Sequence, residues 1–202
     1  MRRLKGCMAA GLALVLVVSL SFAAMAKDMG MSGQNKMMAQ MMKWTTPGPH
    51  HKTLEALVGK WNVTATMWMA PNTKPQVMTG TSENKWVLGG RFIQQDVMGS
   101  DAQHPFQGMG LIGYDNIRQE YTSMWADNMS TGMMESSAQY NPATSTFMES
   151  GSVSCPMTGQ KNRKFRGVTK IVDADHYVFE MYMHDARGKE FKAMEIDYTR
   201  AQ

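Results

Sequence analysis

Residues 53–69 read TLEALVGKWNVTATMWM, and this stretch decides the fold class. Its first part, Thr53–Val58, has one apolar face and predicts a short helix that stops at Gly59. From Trp61 to Met69, apolar residues recur at every second position, which is typical of a strand with one buried face. The sequence therefore predicts a short helix followed at once by a β-strand.

Turn signals recur at short intervals along the rest of the chain. They are Pro71-Asn72, Gly89-Gly90, Asp115-Asn116, Asn141-Pro142 and the segments 156–159, 173–175 and 185–188. The segments between them predict about ten strands with short connections and no intervening helix. We therefore predict an all-β fold, an antiparallel up-and-down β-barrel with a short N-terminal helix, because closure removes exposed edge strands. A β-sandwich is the alternative architecture.

The amino terminus predicts an export signal. Basic residues within Arg2–Lys5 precede an apolar stretch from Ala9 to Ala24, and Ala24-Met25-Ala26 supplies a small-x-small cleavage pattern. We assign residues 1–26 to a signal peptide and expect a periplasmic or secreted protein with no stable membrane insertion after cleavage. An uncleaved membrane anchor is the alternative.

The charge balance excludes nucleic acid as a partner. The signal holds three of the 21 Lys and Arg residues and none of the 17 Asp and Glu, so 18 basic residues face 17 acidic ones in the predicted mature chain. No clustered basic stripe of the kind that binds phosphate backbones is present. Cleavage also removes Cys7 and leaves Cys155, so we predict no internal disulfide and a fold held by its hydrophobic core.

Two segments of different amino-acid composition follow the predicted cleavage site. Residues 27–49 are rich in Met, Gly, Gln, Asn and Lys and contain no β-branched aliphatic residue. Such a composition buries too little apolar surface to order a domain, so we predict a Met-rich flexible arm. The alternating β pattern fills the remainder, and residues 50–202 are therefore predicted to form the barrel domain.

The two ends of this domain resemble those of the lipocalin-like barrels. A short helix runs into Gly59-Lys60-Trp61, and the last predicted strand ends at Tyr198-Thr199-Arg200. In lipocalin-like barrels the opening tryptophan closes one end, often with an arginine from a late strand stacked on it. The resemblance therefore implies that Trp61 and Arg200 close the barrel, through a cation–π contact.

A longer set of motifs resembles the bacterial domain-of-unknown-function family 1579 (DUF1579), a calycin-type barrel. The motifs are HxxLExLVGxW at 51–61, VLGGRF at 87–92, PFxGxGxxGYD at 105–115, WxDxMSTG at 125–132, PMTG at 156–159 and GKEFK at 188–192. They extend over essentially all of residues 50–200. Because the family has no established activity, the resemblance implies the barrel and leaves the function open.

Gly108, Gly110 and Gly113 match the spacing of the dinucleotide-binding fingerprint. That fingerprint acts at a strand-to-helix turn, where the helix N-terminus receives the pyrophosphate. Here the glycines lead into further strand-like residues and an Asp115-Asn116 turn, so we reject nucleotide binding. We predict instead that the glycines let a strand bend as the barrel closes.

Methionine is unusually frequent in the arm, where six residues fall between Met29 and Met42. Thioether sulfur is a soft, uncharged ligand that suits Cu(I), so capture of Cu(I) or Ag(I) is an alternative function. The candidate ligands are Met37, Met38, Met41, Met42, His50 and His51. The same four methionines also fit one face of a short helix, where they would serve as ordinary apolar surface. No other cofactor is predicted. Related barrel families hold haem through one histidine, and such a role for His176 or His184 is the alternative to the favoured role as surface or turn residues.

The sequence contains no motif for a catalytic nucleophile, and Cys155 has no basic group near it in the chain. Carboxylates from different strands could still meet inside the barrel and act as general acid and base. The candidates are Asp96, Asp127, Glu135, Glu149 and Glu180. An enzyme that uses these groups is a further alternative.

The favoured function is non-catalytic binding of a small hydrophobic or amphipathic molecule inside the barrel. Barrels of about eight to ten strands are either filled by side chains or open for one small ligand. We predict an open interior whose ligand-binding residues are Trp86, Arg91, Trp125, Asp127, Tyr140 and Phe179. The hypothesis requires an enclosed cavity of at least about 300 Å3.

Overall fold

The computed structural model describes residues 30–155 and 158–202. The predicted signal peptide, residues 1–26, lies outside the described residues. The chain forms two compact units, the first ending at Thr46 and the second comprising Pro47–Gln202. No helix within the described ranges combines the length and apolar character needed to cross a membrane.

The described part of the first unit contains an α-helix, α1, Met31–Thr45, in which no residue is buried. The sequence analysis predicted a flexible arm here, whereas the structure has a helix. The reason is local, because the segment has neither proline nor a β-branched residue before Thr45 and is rich in Met, Gln, Ala and Lys, which favour helices. The helix that the alternative interpretation of the methionines requires is thus present. The mobility of the arm stays a prediction.

The barrel unit begins with a short α-helix, α2, Pro49–Thr53, followed by a 3-10 turn, Leu54–Leu57. This helical segment starts earlier than the sequence predicted. Pro49 occupies its first position, where the missing N–H costs nothing. The Gly48 N–H donates to Nδ1 of His51 at 3.1 Å, so a histidine ring caps the helix where the sequence signalled no cap.

Ten strands follow within the described residues. They are β1 Gly59–Met67, β2 Gln76–Val87, β3 Phe92–Gly99, β4 Gln107–Asp115, β5 Glu120–Asp127, β6 Met134–Asn141, β7 Thr146–Val153, β8 Arg163–Asp173, β9 His176–His184 and β10 Glu190–Arg200. Each strand pairs antiparallel with its neighbours in the chain, and β1 pairs with β10 to close the barrel. The predicted up-and-down barrel is confirmed. The sandwich is excluded, because all ten strands form one closed sheet.

The alternation predicted for the first strand is confirmed. Trp61 and Val63 are buried in β1, and Asn62 between them is exposed. On β10, Arg200 pairs with Trp61 and Tyr198 with Val63. Because directly paired residues lie on the same face of a sheet, the register carries the inward face from strand to strand around the barrel.

Two apolar clusters fill part of the interior. The larger consists of the buried residues Leu54, Leu57, Trp61, Val63, Ile93, Tyr121, Phe147, Tyr177 and Tyr198. It includes both leucines of the 3-10 turn, so the turn packs against the barrel interior and covers this end. The smaller consists of Phe165, Met181 and Met183. Phe179 packs against both clusters and therefore lies between them.

The three glycines of the fingerprint-like motif lie within β4, and another strand follows, so the rejection of a strand-to-helix phosphate site agrees with the topology. A Cβ added to Gly108 would overlap the indole of Trp125, and one added to Gly113 would overlap the ring of Phe92. The glycines therefore make room for aromatic rings. This role does not follow from the sequence, because the rings belong to other strands.

Candidate ligand site in the barrel interior

Trp61 and Arg200 meet at the end of the barrel next to the 3-10 turn. The Arg200 guanidinium carbon lies 4.3 Å from the centre of the Trp61 ring. The indole N–H donates to the Leu57 carbonyl at 3.0 Å, and Nη1 of Arg200 donates to the Val58 carbonyl at 3.2 Å. Gly59 has a φ of 135°, and a Cβ there would overlap the guanidinium. The two residues that the resemblance assigned to barrel closure are thus in contact.

A buried polar network runs inward from this end. Nδ2 of Asn84 donates to the Leu57 carbonyl at 2.7 Å and to the Tyr177 hydroxyl at 3.1 Å. The Ser82 hydroxyl donates to Oδ1 of Asn84 at 2.8 Å, and Nε2 of Gln95 donates to the Ser82 hydroxyl at 3.3 Å. Sequence reasoning missed this network, because Asn84, Gln95 and Tyr177 lie on three different strands and only the barrel brings them together.

The wall between the two apolar clusters is not fully buried. Inward-facing positions follow from the register, which pairs them with buried residues such as Tyr121 and Phe147. Inward residues that keep accessible surface include Ala65, Ser123, Trp125, Ser136, Ala138, Glu149, Phe179 and Ile196. In a filled barrel, inward side chains would lose nearly all of this surface. Water can therefore reach the middle of the wall, and the required cavity of at least about 300 Å3 stays a prediction.

Glu149 is the acidic side chain at the centre of this wall. It lies on β7 between Phe147, which belongs to the larger cluster, and Val153, which packs against the smaller one. Burial raises the pKa of its carboxyl group, against the opposing effect of a hydrogen bond from the Ser136 hydroxyl to Oε2 at 2.6 Å. The Ser136 oxygen is also 2.6 Å from the hydroxyl of Ser123. A short hydroxyl chain thus ends on an enclosed carboxyl group.

The residues around Glu149 are consistent with a side chain that points into the barrel. Gly167 pairs with it on β8, and a Cβ at Gly167 would overlap the Glu149 side chain. Burial raises the pKa of Tyr198 to about 12, and the negative charge of Glu149 contributes while a hydrogen bond from Gln95 opposes the shift. The two groups therefore interact electrostatically within the same interior.

Three of the residues predicted to bind a ligand lie on this interior face. Nε1 of Trp125 donates to Oδ2 of Asp127 at 2.9 Å. The Trp125 ring also lies nearly parallel to that of Phe106, with 6.4 Å between ring centres. Phe179, on β9, lies between the two clusters. The structure brings these side chains to the barrel wall, and their contact with a ligand stays a prediction.

Trp86 and Tyr140 also face inward, but they pack against the larger cluster at the closed end. Nε1 of Trp86 donates to Oε2 of Glu55 at 2.7 Å, so its polar edge is already bonded to the 3-10 turn. The ring of Tyr140 lies 4.6 Å from that of Phe147. These contacts resemble core packing more than a binding wall.

Arg91 does not lie on the barrel wall. It is exposed on the turn between β2 and β3, where its Nη1 donates to the Leu88 carbonyl at 3.2 Å. The sequence places it directly beside a strand but does not say where the turn ends. The predicted role of Arg91 as a polar contact inside the barrel is therefore corrected.

The five carboxylates considered for catalysis do not come together. Asp127 and Glu149 face inward, whereas Asp96, Glu135 and Glu180 lie on the opposite, outward face of their strands. Asp96 forms an ion pair with Lys85 at 3.1 Å, and Glu180 forms one with Lys192 at 2.9 Å. The expected cluster is corrected to two inward carboxylates, one of which is bonded to Trp125.

The candidate metal ligands fall into both units. Met37, Met38, Met41 and Met42 lie on α1, whereas His50 and His51 belong to α2. The ring of His50 stacks on that of Tyr114 at 4.3 Å. His51 is buried and accepts the capping hydrogen bond described above, and burial, with the charges of His50 and Arg91, lowers its pKa. Among the described residues, no group of three or more His, Cys, Asp or Glu side chains could hold a metal ion.

A separate, open groove of about 360 Å3 lies beside the end of β1. Its wall includes Trp68, Phe191 and Lys192. The Lys192 ammonium lies 5.8 Å from the centre of the Trp68 ring and is already paired with Glu180. None of the predicted ligand-binding residues lines this groove, so it is distinct from the interior site.

Comparison with known proteins identifies a family model and solved structures that are similar to this chain. The family model described as a protein of unknown function (DUF1579) matches residues 46–200. No curated protein matches the chain.

Two solved structures share the fold at low sequence identity. Rv2717c from M. tuberculosis is 14% identical with a TM-score of 0.58, and the match covers 78% of this chain and 100% of that one. The S-type phycobiliprotein lyase CPES from Guillardia theta is 10% identical with a TM-score of 0.53, covering 80% of this chain and 97% of that one. At these identities the likeness concerns the fold alone.

Proposed function

The chain belongs to DUF1579, a family of proteins of unknown function, and from this premise we propose that it binds one small hydrophobic or amphipathic molecule inside its barrel without chemistry. The observation that carries the proposal is the accessible inward wall between two packed clusters. Small-molecule sites are typically apolar hollows with a few placed polar groups. Phe179 and Ile196 supply apolar surface here, and Ser136 and Glu149 supply polar groups.

Two further features support binding over catalysis. One end of the barrel is covered by the 3-10 turn and by the contact of Arg200 with Trp61, so a molecule inside would be enclosed from that side. An enzyme based on the five carboxylates has less support, because three of them face outward. The neighbour from Guillardia theta is named a lyase, and its activity is not transferred to this chain.

We place this activity in the periplasm or outside the cell. The support is the export signal in residues 1–26, which ends in the cleavage pattern Ala24-Met25-Ala26. Export of the full chain from a bacterial host, followed by sequencing of the mature amino terminus, tests the assignment. The expected first residue is Lys27, and recovery of an uncleaved chain in the membrane fraction would contradict it.

The binding proposal is tested with Nile red, a neutral dye that fluoresces in apolar surroundings. Ala138 faces inward beside Glu149, so Ala138→Trp should fill the space and weaken dye binding at least about ten-fold. The matched control is Gln139→Trp, which adds the same ring to the outward face of β6. We expect the control to bind as the wild type does. Failure of the wild type to bind the dye, or equal binding by both variants, would contradict the proposal.

The second candidate function is capture of Cu(I) or Ag(I) by α1. The observation that favours it is a helix without a buried residue that carries Met37, Met38, Met41 and Met42 on one face. Titration of the full chain with Ag(I) should give tight binding that is lost when all four residues are replaced by leucine. The matched control replaces four methionines outside the arm, Met98, Met109, Met129 and Met148, which are also exposed. Equal retention of silver by both variants would contradict a metal role for the helix.

A further inference from the structure

We propose that the molecule bound in the barrel carries a protonated amine, and that this ammonium group binds the free side of the Glu149 carboxylate. The inference rests on the proposed function and adds the chemical class of the ligand. The Glu149 carboxyl group lies inward between the two apolar clusters, whereas the other inward carboxylate, Asp127, already accepts a hydrogen bond from the Trp125 indole. An anionic head group, such as that of a fatty acid, would meet repulsion at the same position.

The hydrogen bonding of Glu149 leaves one oxygen available. Oε2 accepts the hydrogen bond from Ser136, whereas Oε1 accepts none among the described residues. Oε1 is not fully buried, so it keeps contact with accessible space. A carboxylate accepts several hydrogen bonds when ionised, and Oε1 is thus ready to accept one from a ligand.

The hydroxyl chain behind Glu149 has a direction. Because the Ser136 hydroxyl donates its hydrogen bond to Glu149, the Ser123 hydroxyl is the donor in its contact with the Ser136 oxygen. Both hydroxyls therefore donate toward the carboxylate and support its negative form. The protein therefore supplies hydroxyl donors that stabilise the Glu149 carboxylate, but the described residues supply no positive charge that pairs with it.

No cation of the described residues forms an ion pair with Glu149. Of the other inward charged side chains, Arg163 on β8 donates to the His184 carbonyl at 2.9 Å, and Asp127 on β5 is bonded to Trp125. Tyr198 interacts electrostatically with Glu149 from β10, and its pKa of about 12 keeps it neutral near pH 7. A buried carboxylate without a countercharge is costly, and an ammonium group from a ligand would offset that cost.

Gly167, on β8, provides the space that the Glu149 side chain occupies. A Cβ at residue 167 would overlap the carboxylate and the methylene next to it. The bare backbone of β8 therefore lets the Glu149 side chain lie along the wall and leaves the middle of the barrel for the ligand.

The test displaces Nile red with three probes of equal chain length: dodecylamine, dodecanol and dodecanoic acid. At pH 7 the wild type should bind dodecylamine at least about ten-fold more tightly than dodecanol, and dodecanoic acid most weakly. Glu149→Gln preserves the size of the side chain and should remove the preference for the amine while leaving dodecanol binding within about two-fold. The matched control is Glu135→Gln, which changes an exposed, outward carboxylate on β6.

The pH dependence supplies a second readout. Since burial raises the pKa of Glu149, the affinity of the wild type for dodecylamine should rise as pH increases and the carboxyl group ionises. Glu149→Gln should abolish this rise, whereas dodecanol binding should stay constant with pH in both proteins.

The outcomes separate the two proposals. If Nile red binds but the wild type prefers dodecanoic acid, or Glu149→Gln keeps the preference for the amine, the inference is overturned and the binding function stands. If calorimetry detects neither Nile red nor dodecylamine binding to the wild type, both proposals are overturned together. A preference for the amine that disappears only in Glu149→Gln supports both.

Discussion

The guanidinium of Arg200 joins three parts of the chain at the closed end of the barrel. It covers the Trp61 ring at 4.3 Å, donates to the Val58 carbonyl and forms an ion pair with Asp175 at 2.8 Å. Arginine serves all three because its planar fork carries several donors and its face stacks on aromatic rings. Loss of this one group therefore removes several contacts at once.

We expect Arg200→Met to lower the free energy of unfolding by about 1–3 kcal/mol, because it keeps much of the side-chain stem but removes the cation and its donors. Urea unfolding followed by tryptophan fluorescence measures the change. The control is Lys60→Met, which removes an exposed cation paired with the exposed Glu83 across β1 and β2 and should cost less than about 1 kcal/mol. Equal losses in the two variants would contradict the closing role of Arg200.

Glu149 should make stability depend on pH in a definite direction. Its pKa is raised in the folded state, so the folded chain binds this proton more tightly than the unfolded chain does. The stabilisation is full below the unfolded pKa and is lost as pH rises through the folded value. Relative to wild type, Glu149→Gln should therefore gain stability between pH 4.5 and pH 8, as measured by urea unfolding at both values. A constant difference between the two proteins would contradict burial of the carboxyl group.

Single residues also mark where sequence reasoning stops. Alternation within β5 places Trp125 and Asp127 on one face, and the structure has both inward. The same alternation could not select Glu149 over Glu135, because only the register between strands decides which face lies inside. Arg91 was misplaced for a related reason, since the sequence does not mark where its turn ends.

At the scale of elements, β4 shows how a glycine on one strand makes space for a large side chain on the next strand. Its glycine at position 108 lies under the indole of Trp125, which reaches across from β5. Sequence patterns indicated a strand here and excluded a phosphate loop. They could not indicate the ring above the glycine, because that contact joins two strands.

We expect Gly108→Ala to lower the free energy of unfolding by about 1–3 kcal/mol, since the added methyl group must displace the Trp125 ring. The displaced indole should also shift the tryptophan emission spectrum. The control is Gly132→Ala, where the nearest atom to the new Cβ is the Ser130 hydroxyl oxygen at 3.9 Å. Chemical unfolding of both variants measures the effect, and a neutral Gly108→Ala variant would refute the packing described here.

Helical elements were predicted less well than strands. The strand β1 follows from a period of two that extends over its whole length. The start of α2 depends on a hydrogen bond from the Gly48 N–H to the ring of His51, which takes the place that Glu or Gln has in a capping box. The usual sequence signature of this cap is therefore missing. Local propensity explains α1, whereas its composition alone indicated a flexible arm.

The whole molecule is a barrel in which each strand pairs with its chain neighbours and β10 returns to β1. Such an order is predictable, because evenly spaced strands with short connections pair in sequence order. Whether the interior is filled is not predictable in the same way, since it depends on the summed volumes of side chains from all strands. Ligand binding inside the barrel therefore depends on the accessible wall around Glu149.

The most direct measurement of the central claim compares native with denaturing mass spectrometry on the same purified protein. Our account predicts a native mass that exceeds the denatured mass by one small organic molecule, and an excess that is missing in Ala138→Trp but kept in Gln139→Trp. The contradicting result is a bare protein in both spectra that remains bare after incubation with Nile red.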